Sequence, residues 1–428
     1  MDELNRNRLE EFRQLRQEIR HSEEYLIVGM DIAKDRHHAF FGSATGRTLL
    51  RRLVFDNNYE GFRKLLDQTE ALRVRHGLKK VVYGMEPTAN YHKPLGEYLI
   101  HLGRCVVLVS GVTAKKNRES LDGRWDKNDP KDSANVADLI SQGKCLYYEY
   151  PAAPLRGLRG LLSFKRRLKK QEHGYRVRIR NHLIAQYYPE MDREYERLGA
   201  EGLATMRWCF PPSEMTGLDV EHYIDRVTSG RIRGEKRERL ERVWEQAGET
   251  IGCDGVPGVQ HEARLMVEGL KQVREMIRET EDEIEELCEG FPEYGYLLTI
   301  PGYGPDVSSK VLGAIGEADR FQNGRQVLKL AGYDLSADRS GKDSEKAIPQ
   351  ISKRGKADLR YALYQAALIA STRNREFMRY YTSKLRGREK EKGIHRKVLV
   401  KLSAKMLLIA WTLMKKKEAF DSTYLNRA

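Results

Sequence analysis

The stretch YLIVGMDIAK, Tyr25 to Lys34, constrains this chain more than any other: an apolar run from Leu26 to Val28 leads directly to one carboxylate, Asp31. An unbroken apolar run bounded by polar segments fits a central strand covered on both faces. An acid at the end of such a strand costs free energy unless it is hydrated, paired or bound to a metal ion. Taken alone, Asp31 is a partly exposed strand-end residue. It becomes a site candidate only in company with three acids further along the chain.

Residues up to Glu24 read as a solvated helix. Two more strands are expected at His37–Gly42 and Arg47–Phe55, joined at the turn-rich SATG. Helical spacing of Phe62, Leu65, Leu66 and Leu72 predicts a helix over 58–76. A fourth strand is expected at Lys80–Tyr83 in VVYGMEP, a helix covers Tyr91–Leu102, and CVVLVS, Cys105 to Ser110, makes a fifth strand. Hairpins first and βαβ units afterwards describe an α/β, RNase H-like (RuvC-like) domain over residues 1–150.

A chain of 428 residues with 40% hydrophobic content has room for two or three domains with real cores. The balance of 76 basic and 62 acidic residues leaves +14, with a pI near 9.3. That favours a polyanionic partner, nucleic acid first and an acidic membrane surface second. The five cysteines lie 35 or more residues apart, so no CxxC pair exists and reduced thiols in the cytoplasm are expected. The N-terminal twenty residues are charged throughout, unlike a signal peptide. Val398–Met414 is broken by Lys401 and Lys405, which makes it an amphipathic helix and not a membrane span.

Beyond residue 150 the texture changes. Arg156–Arg180 carries ten basic residues, among them Lys165, Arg166, Arg167, Lys169 and Lys170, against one acid, Glu172. Residues 198–252 form a helical insertion of unread purpose. Met266, Leu270, Val273, Ile277, Thr280, Ile284 and Leu287 then alternate spacings of four and three, a coiled-coil seam with acidic flanks. That seam suits an intramolecular hairpin with the basic helix and a dimer contact equally well. A helical middle over 151–295 gives way to a mainly α C-terminal domain, 296–428. It opens with PGYG, Pro301 to Gly304, a helix-hairpin-helix-like turn whose backbone N–H groups could hold a phosphate. Between Arg373 and Lys417, fifteen Lys and Arg face three Glu, a ratio that favours phosphate contacts.

Four acids form the chemical constellation. Glu86 comes just after the strand VVYGM as Asp31 ends its own, and in an RNase H-like sheet those strands are neighbours. In KNDPKDSANVADLI, Asp129 reads as an N-cap, Pro130 as the first helical residue and Asp132 as the third, so both acids share one helix face. Asp-Pro-x-Asp is also simply a good helix start. Four hard oxygen donors suit two Mg²⁺ or Mn²⁺ ions clamping a scissile phosphate. No histidine pair has zinc spacing, and IAKDRHH lacks the Gly-rich loop that a sugar kinase of this fold would need.

GMDIAK, GMEPTANYHKP and KNDPKDSANVADLI resemble successive motifs of DEDD-type insertion-sequence transposases, whose RNA-guided members are the bridge recombinases. IPGYGPDVSSKVLGAIGEADRF, LAGYDLSADRSGKDS and ISKRGKADLR resemble the second conserved domain of that family. The resemblance implies a RuvC-like nuclease domain, a coiled-coil middle and a C-terminal domain with a serine nucleophile. It places the acidic tetrad on Asp31, Glu86, Asp129 and Asp132 and the nucleophile on Ser340. Pro87 and Ala89 stand where the family usually has Ala and Gly. Arg339, Lys342, Lys353, Arg354 and Arg360 are placed to gather around a transferring phosphoryl group. With no histidine base near Ser340 in sequence, its activation falls to the metal ions or the acids, which implies a composite site.

The expectation is therefore a cytoplasmic, homo-oligomeric DNA transposase/recombinase acting on donor and target DNA through a covalent phosphoserine, with two divalent ions. A bridge-type guide RNA is implied by the resemblance alone. The rivals are a metal-dependent RuvC/RNase H-like nuclease that uses water, with Ser340 structural, and a non-catalytic nucleic-acid scaffold.

Overall fold

The apolar run becomes β1, Tyr25–Asp31, at the centre of a six-stranded sheet. Its neighbours are β2 (Arg36–Ser43) and β3 (Thr48–Asp56) on one side, and β4 (Lys80–Met85), β5 (Cys105–Leu108) and β6 (Leu146–Tyr147) on the other. The order is β3-β2-β1-β4-β5-β6, with β1, β4 and β5 mutually parallel and β2, β3 and β6 antiparallel to their neighbours. This topology is compatible with the RNase H-like domain that the strand pattern predicts. The two-residue edge strand β6 is too short to carry a sequence signal.

The computed structural model describes residues 3–121, 129–195, 198–228, 232–336 and 350–425, and its chain divides into two compact units, Met1–Ala153 and Pro154–Ala428. In the first unit both sheet faces are covered. Leu26, Val28 and Met30 meet Phe62 and Leu65 of α2 (Tyr59–Arg75) and Leu95 and Leu99 of α3 (His92–His101). Ile27, Val82 and Val107 point the other way, with strand alternation, onto Ala114 of α4 (Gly111–Leu121) and Val136, Ala137 and Ile140 of α5 (Asp129–Ser141). The N-terminal helix α1 (Glu3–Glu18) is not the solvated helix expected: Leu15, and Ile19 just beyond it, are buried in this second layer. Their spacing of four supplies a narrow apolar stripe among many charges.

In the second unit the basic helix α6 (Ala153–Arg178) continues through a π-helical turn, Ile179–Ile184. The predicted seam lies on α7 (Val259–Glu289) and is filled from within the chain. Val273 and Ile277 pack on Leu168 of α6, while Ile284 and Cys288 share a core with Leu155 and Leu158. Of the two arrangements the periodicity allows, the internal hairpin is the one seen in this chain, with Val273, Ile277 and Ile284 buried against α6. The insertion folds four short helices (Ala200–Trp208, Pro212–Thr216, Val220–Val227, Glu235–Gly248) around Tyr188, Phe210, Tyr223 and Leu240, seated on the first half of α7.

The C-terminal part comprises α8 (Pro292–Leu298), α9 (Pro305–Ile315), α10 (Gly324–Ala331), a hairpin of β7 (Leu335–Ser336) with β8 (Gln350–Ile351), α11 (Ala357–Arg373), α12 (Arg375–Leu385) and α13 (Ile394–Lys416). PGYG joins α8 to α9 as a helix–turn–helix, yet it packs inward. At Gly302, whose φ is +87°, a Cβ would sit 2.4 Å from the Ala366 carbonyl oxygen of α11. Buried Tyr303 donates to the Met406 carbonyl of α13 at 3.2 Å. This glycine thus has a packing reason of its own. Among the described residues no helix is long and apolar enough to cross a membrane.

A candidate active site at the carboxyl edge of the sheet

Two of the predicted acids meet because of strand register. Parallel pairing runs Tyr25 with Lys80 through Met30 with Met85, so the next step along both strands is Asp31 beside Glu86. Neighbouring strands lie about 4.8 Å apart, which puts the two α-carbons within carboxylate reach of one ion. Alternation sends both side chains to the face carrying α4 and α5, and both are half-buried. Glu86 reaches towards the start of α4: a Cβ built on Gly111 would lie 2.6 Å from its Oε1.

Helix α5 is seated on this edge by a missing side chain. At Gly29 a Cβ would fall 2.3 Å from the Ser133 carbonyl oxygen and 2.6 Å from the Ala137 nitrogen. The backbone of α5 therefore touches β1 two residues before Asp31, and Asp132 directly precedes the residue in contact. Asp132 is buried and ion-paired, its Oδ1 2.7 Å from Arg118 Nη2 on α4. The same two helices are stitched by Asn117 Nδ2, which donates to Asn135 Oδ1 and Asp138 Oδ2 at 2.8 Å each, and by Asn135 Nδ2, which donates to the Ala114 carbonyl at 2.8 Å. Buried polar groups so satisfied fix a helix pair in one arrangement.

Asp129 is the first residue of α5, and its side chain lies outside the described residues. Among the described residues no three His, Cys, Asp or Glu side chains gather closely enough to hold a metal ion. Carboxylate oxygens are the donors a hard divalent cation takes, and Asp31 and Glu86 bring theirs from adjacent strand ends. Two neighbours escaped the sequence reading. Arg118 carried no spacing signal. His38 pairs with Asp31 across β1 and β2 and so shares its face of the sheet, a relation visible only once register is known.

Comparison with known proteins gives matches in both the N-terminal and the C-terminal part of the chain. A family model of DEDD transposases of the IS110 type matches residues 28–189, and one for transposases of the IS116/IS110/IS902 family matches residues 294–382. The chain belongs to the IS110 family of DEDD transposases. It is thus a DNA transposase/recombinase, and membership implies a general dependence on divalent metal ions. Among curated relatives, a pilin gene-inverting protein of Moraxella bovis is 24% identical over 396 residues, covering 92% of this chain and 97% of the relative. A pilin gene-inverting protein of Moraxella lacunata is 28% identical over 160 residues, or 36% of this chain and 48% of the relative.

The other candidate residues of this transposase have diverse settings. Ser340, Arg339 and Lys342 lie outside the described residues; their segment runs between the paired strands β7 and β8. Arg360 Nη1 donates to the Ala331 and Gly355 carbonyls at 2.8 and 3.3 Å, closing the end of α10 against the turn bearing Lys353 and Arg354. Lys353 in that turn has φ +55°, and Gly332, which ends α10 beside it, has φ +74°. Lys165 is turned inward, 2.7 Å from Asp306 and 3.0 Å from Glu281. Arg166 pairs with Asp358 at 3.2 Å, Arg167 lies over the Phe164 ring, Lys169 is 3.7 Å from Glu172, and Lys170 is exposed.

Proposed function

We propose that this transposase cuts and rejoins DNA strands through a covalent phosphoserine on Ser340, with two Mg²⁺ or Mn²⁺ ions held by Asp31, Glu86, Asp129 and Asp132. The observation that carries the reading is the common placement of Asp31, Glu86 and the first turn of α5 at one edge of the sheet. Ions bound there would neutralise charge developing on the scissile phosphate. The Ser340 hydroxyl attacks phosphorus and loses its proton; the P–O bond to the deoxyribose oxygen breaks, and the released hydroxyl takes up a proton. One phosphate ester replaces another, so no energy source is needed, and a strand hydroxyl reverses the step to reseal DNA in a new connection. Inverting a gene, as the names of the Moraxella relatives state, is a reaction of this balance. A bridge-type guide RNA would supply target choice, and the active assembly would be a dimer or tetramer acting on donor and target DNA together.

Trapping on a nicked substrate tests this. Wild type should give a protein–DNA adduct at Ser340, located by peptide mass; Ser340→Ala should bind DNA and form none, while Ser344→Ala stays active. Asp31→Ala should abolish cleavage in either chemistry. Wild-type cleavage by Ser340→Ala would replace the phosphoserine with a water-driven nuclease. RNA co-purifying with the protein and programming its target would establish the guide; recombination by RNA-free protein would remove it.

A further inference from the structure

A groove of about 890 Å³ lies between α12, α13 and the closing turn Ser422–Leu425. Among the described residues its charged lining consists of Lys384, Lys401, Lys405 and Lys416, with no Asp or Glu. The lysines of α13 are on one stripe: steps of four, three, four and four run through 401, 405, 408, 412 and 416. The opposite face of the helix is spent on the core through Leu402, Met406, Ala410 and Leu413. The cationic row is therefore what this amphipathic helix turns outward, and the sequence-level interruptions Lys401 and Lys405 belong to it.

The aromatic residues of the groove hold ammonium groups in place. Lys384 Nζ and Lys405 Nζ each lie 5.5 Å from the centroid of the same ring, Tyr380. Lys415 sits 5.4 Å from the Trp411 ring, whose Nε1 donates to the Ala318 carbonyl at 2.9 Å. Lys416 is 5.4 Å from the Tyr424 ring and 3.5 Å from Glu418 Oε1. With Tyr380 engaged by two cations, the groove offers charge in fixed positions more than bare rings for base stacking. Burial, and then the nearness of Lys384 and Lys401, holds the Lys405 ammonium below its ordinary pKa. Like charges crowded this way gain free energy when an anion comes between them.

We propose that this groove is a dedicated phosphate-backbone site, in which Lys384, Lys401 and Lys405 grip a nucleic-acid strand. The identity of the polyanion rests on the DNA chemistry of the family; the grip itself rests on the groove. A concave, lysine-walled channel suits a strand better than a flat lipid surface, because among the described lining residues no large apolar side chain is exposed for insertion.

The test is lysine acetylation footprinting of the full-length protein, read by peptide mass, with four probes: duplex DNA, single-stranded DNA, RNA, and vesicles rich in phosphatidylserine. Lys384, Lys401 and Lys405 should be protected several-fold by at least one nucleic acid and not by vesicles, and the protecting probe identifies the strand type. The triple variant Lys384→Gln/Lys401→Gln/Lys405→Gln, whose side chains are exposed or half-buried, should lower the log–log salt slope of binding that probe by about 2 to 3, at roughly 0.7 to 0.9 per phosphate contact. Equal acetylation with and without every nucleic acid, protection by vesicles alone, or an unchanged slope would overturn the site. Manganese binding at the carboxylates, read by calorimetry, should be untouched in the triple variant, so failure of the groove and failure of the metal-site reading are separable.

Discussion

Gly29→Ala should loosen both the fold and the chemistry, because one methyl group would stand between β1 and the helix bearing two of the acids. The added Cβ would lie 2.3 Å from the Ser133 oxygen, 2.6 Å from the Ala137 nitrogen and 2.8 Å from the Ala137 Cβ. Ordinary C···O contacts need about 3.3 Å, so α5 must retreat by roughly 1 Å. The obstacle is backbone, which no rotamer change relieves. Overpacking of this kind costs about 1–3 kcal/mol, and the central strand places it at the upper end. In a domain of this size each kcal/mol lowers Tm by about 2–4 °C, so a fall of roughly 6–12 °C is expected for the first unit. A misplacement near 1 Å can cost about 100-fold in rate, and cleavage should fall accordingly even at temperatures where the variant is folded. Gly84→Ala is the control. Its Cβ would meet the Ile140 Cδ1 at 2.0 Å, the end of a side chain that can turn aside for about 0.5–1.5 kcal/mol. Thermal melts and strand cleavage on both variants decide the matter. A Gly29→Ala protein that melts and cleaves like wild type, or one no worse than Gly84→Ala, would refute the reasoning.

Three further outcomes are expected. Arg118→Ala leaves the buried Asp132 carboxylate without its guanidinium partner and should cost about 1–3 kcal/mol in chemical denaturation; added Mn²⁺ should recover part of that loss if Asp132 is an ion ligand. Lys165→Met should also destabilise by about 1–3 kcal/mol while leaving the salt slope of DNA binding unchanged, because its charge is paired internally. Burial alone would raise the Asp306 pKa, but hydrogen bonds from Lys165 and Lys310 outweigh it and hold the carboxyl below the usual 3.8. The stability this pair contributes is complete above that value and is lost as pH falls through the depressed one, so the wild-type advantage over Lys165→Met should persist at neutral pH and narrow below pH 3.8. Ala89→Gly should stabilise by about 1 kcal/mol in a thermal melt, since Ala89 holds φ +45° in the loop after Glu86.

The parts of this molecule legible in its sequence are those governed by periodicity. Apolar runs marked β1, β4 and β5, and the acids terminating two of them could be placed side by side because parallel strands share register. Partnership was harder to read. The seam of α7 declares an apolar face but not its occupant, and Leu155, Leu158 and Leu168 of α6 fill it. Counting basic residues over Arg156–Arg180 treats all ten alike, yet Lys165 falls seven residues after Leu158 and three before Leu168, on the buried stripe. That spacing was available as a signal. The Arg118–Asp132 pair and the nearness of His38 to Asp31 join residues by tertiary contact and register, which no local pattern encodes.

The hairpin of α6 and α7 carries a practical consequence for dissecting this protein. A fragment beginning after α6 would present Val273, Ile277 and Ile284 to water as an uncovered heptad stripe, and two such fragments would answer each other's need for a lid. Self-association measured on that fragment would report the cut made in the gene. The stoichiometry of the recombinase must therefore be measured on chains that retain residues 153–178.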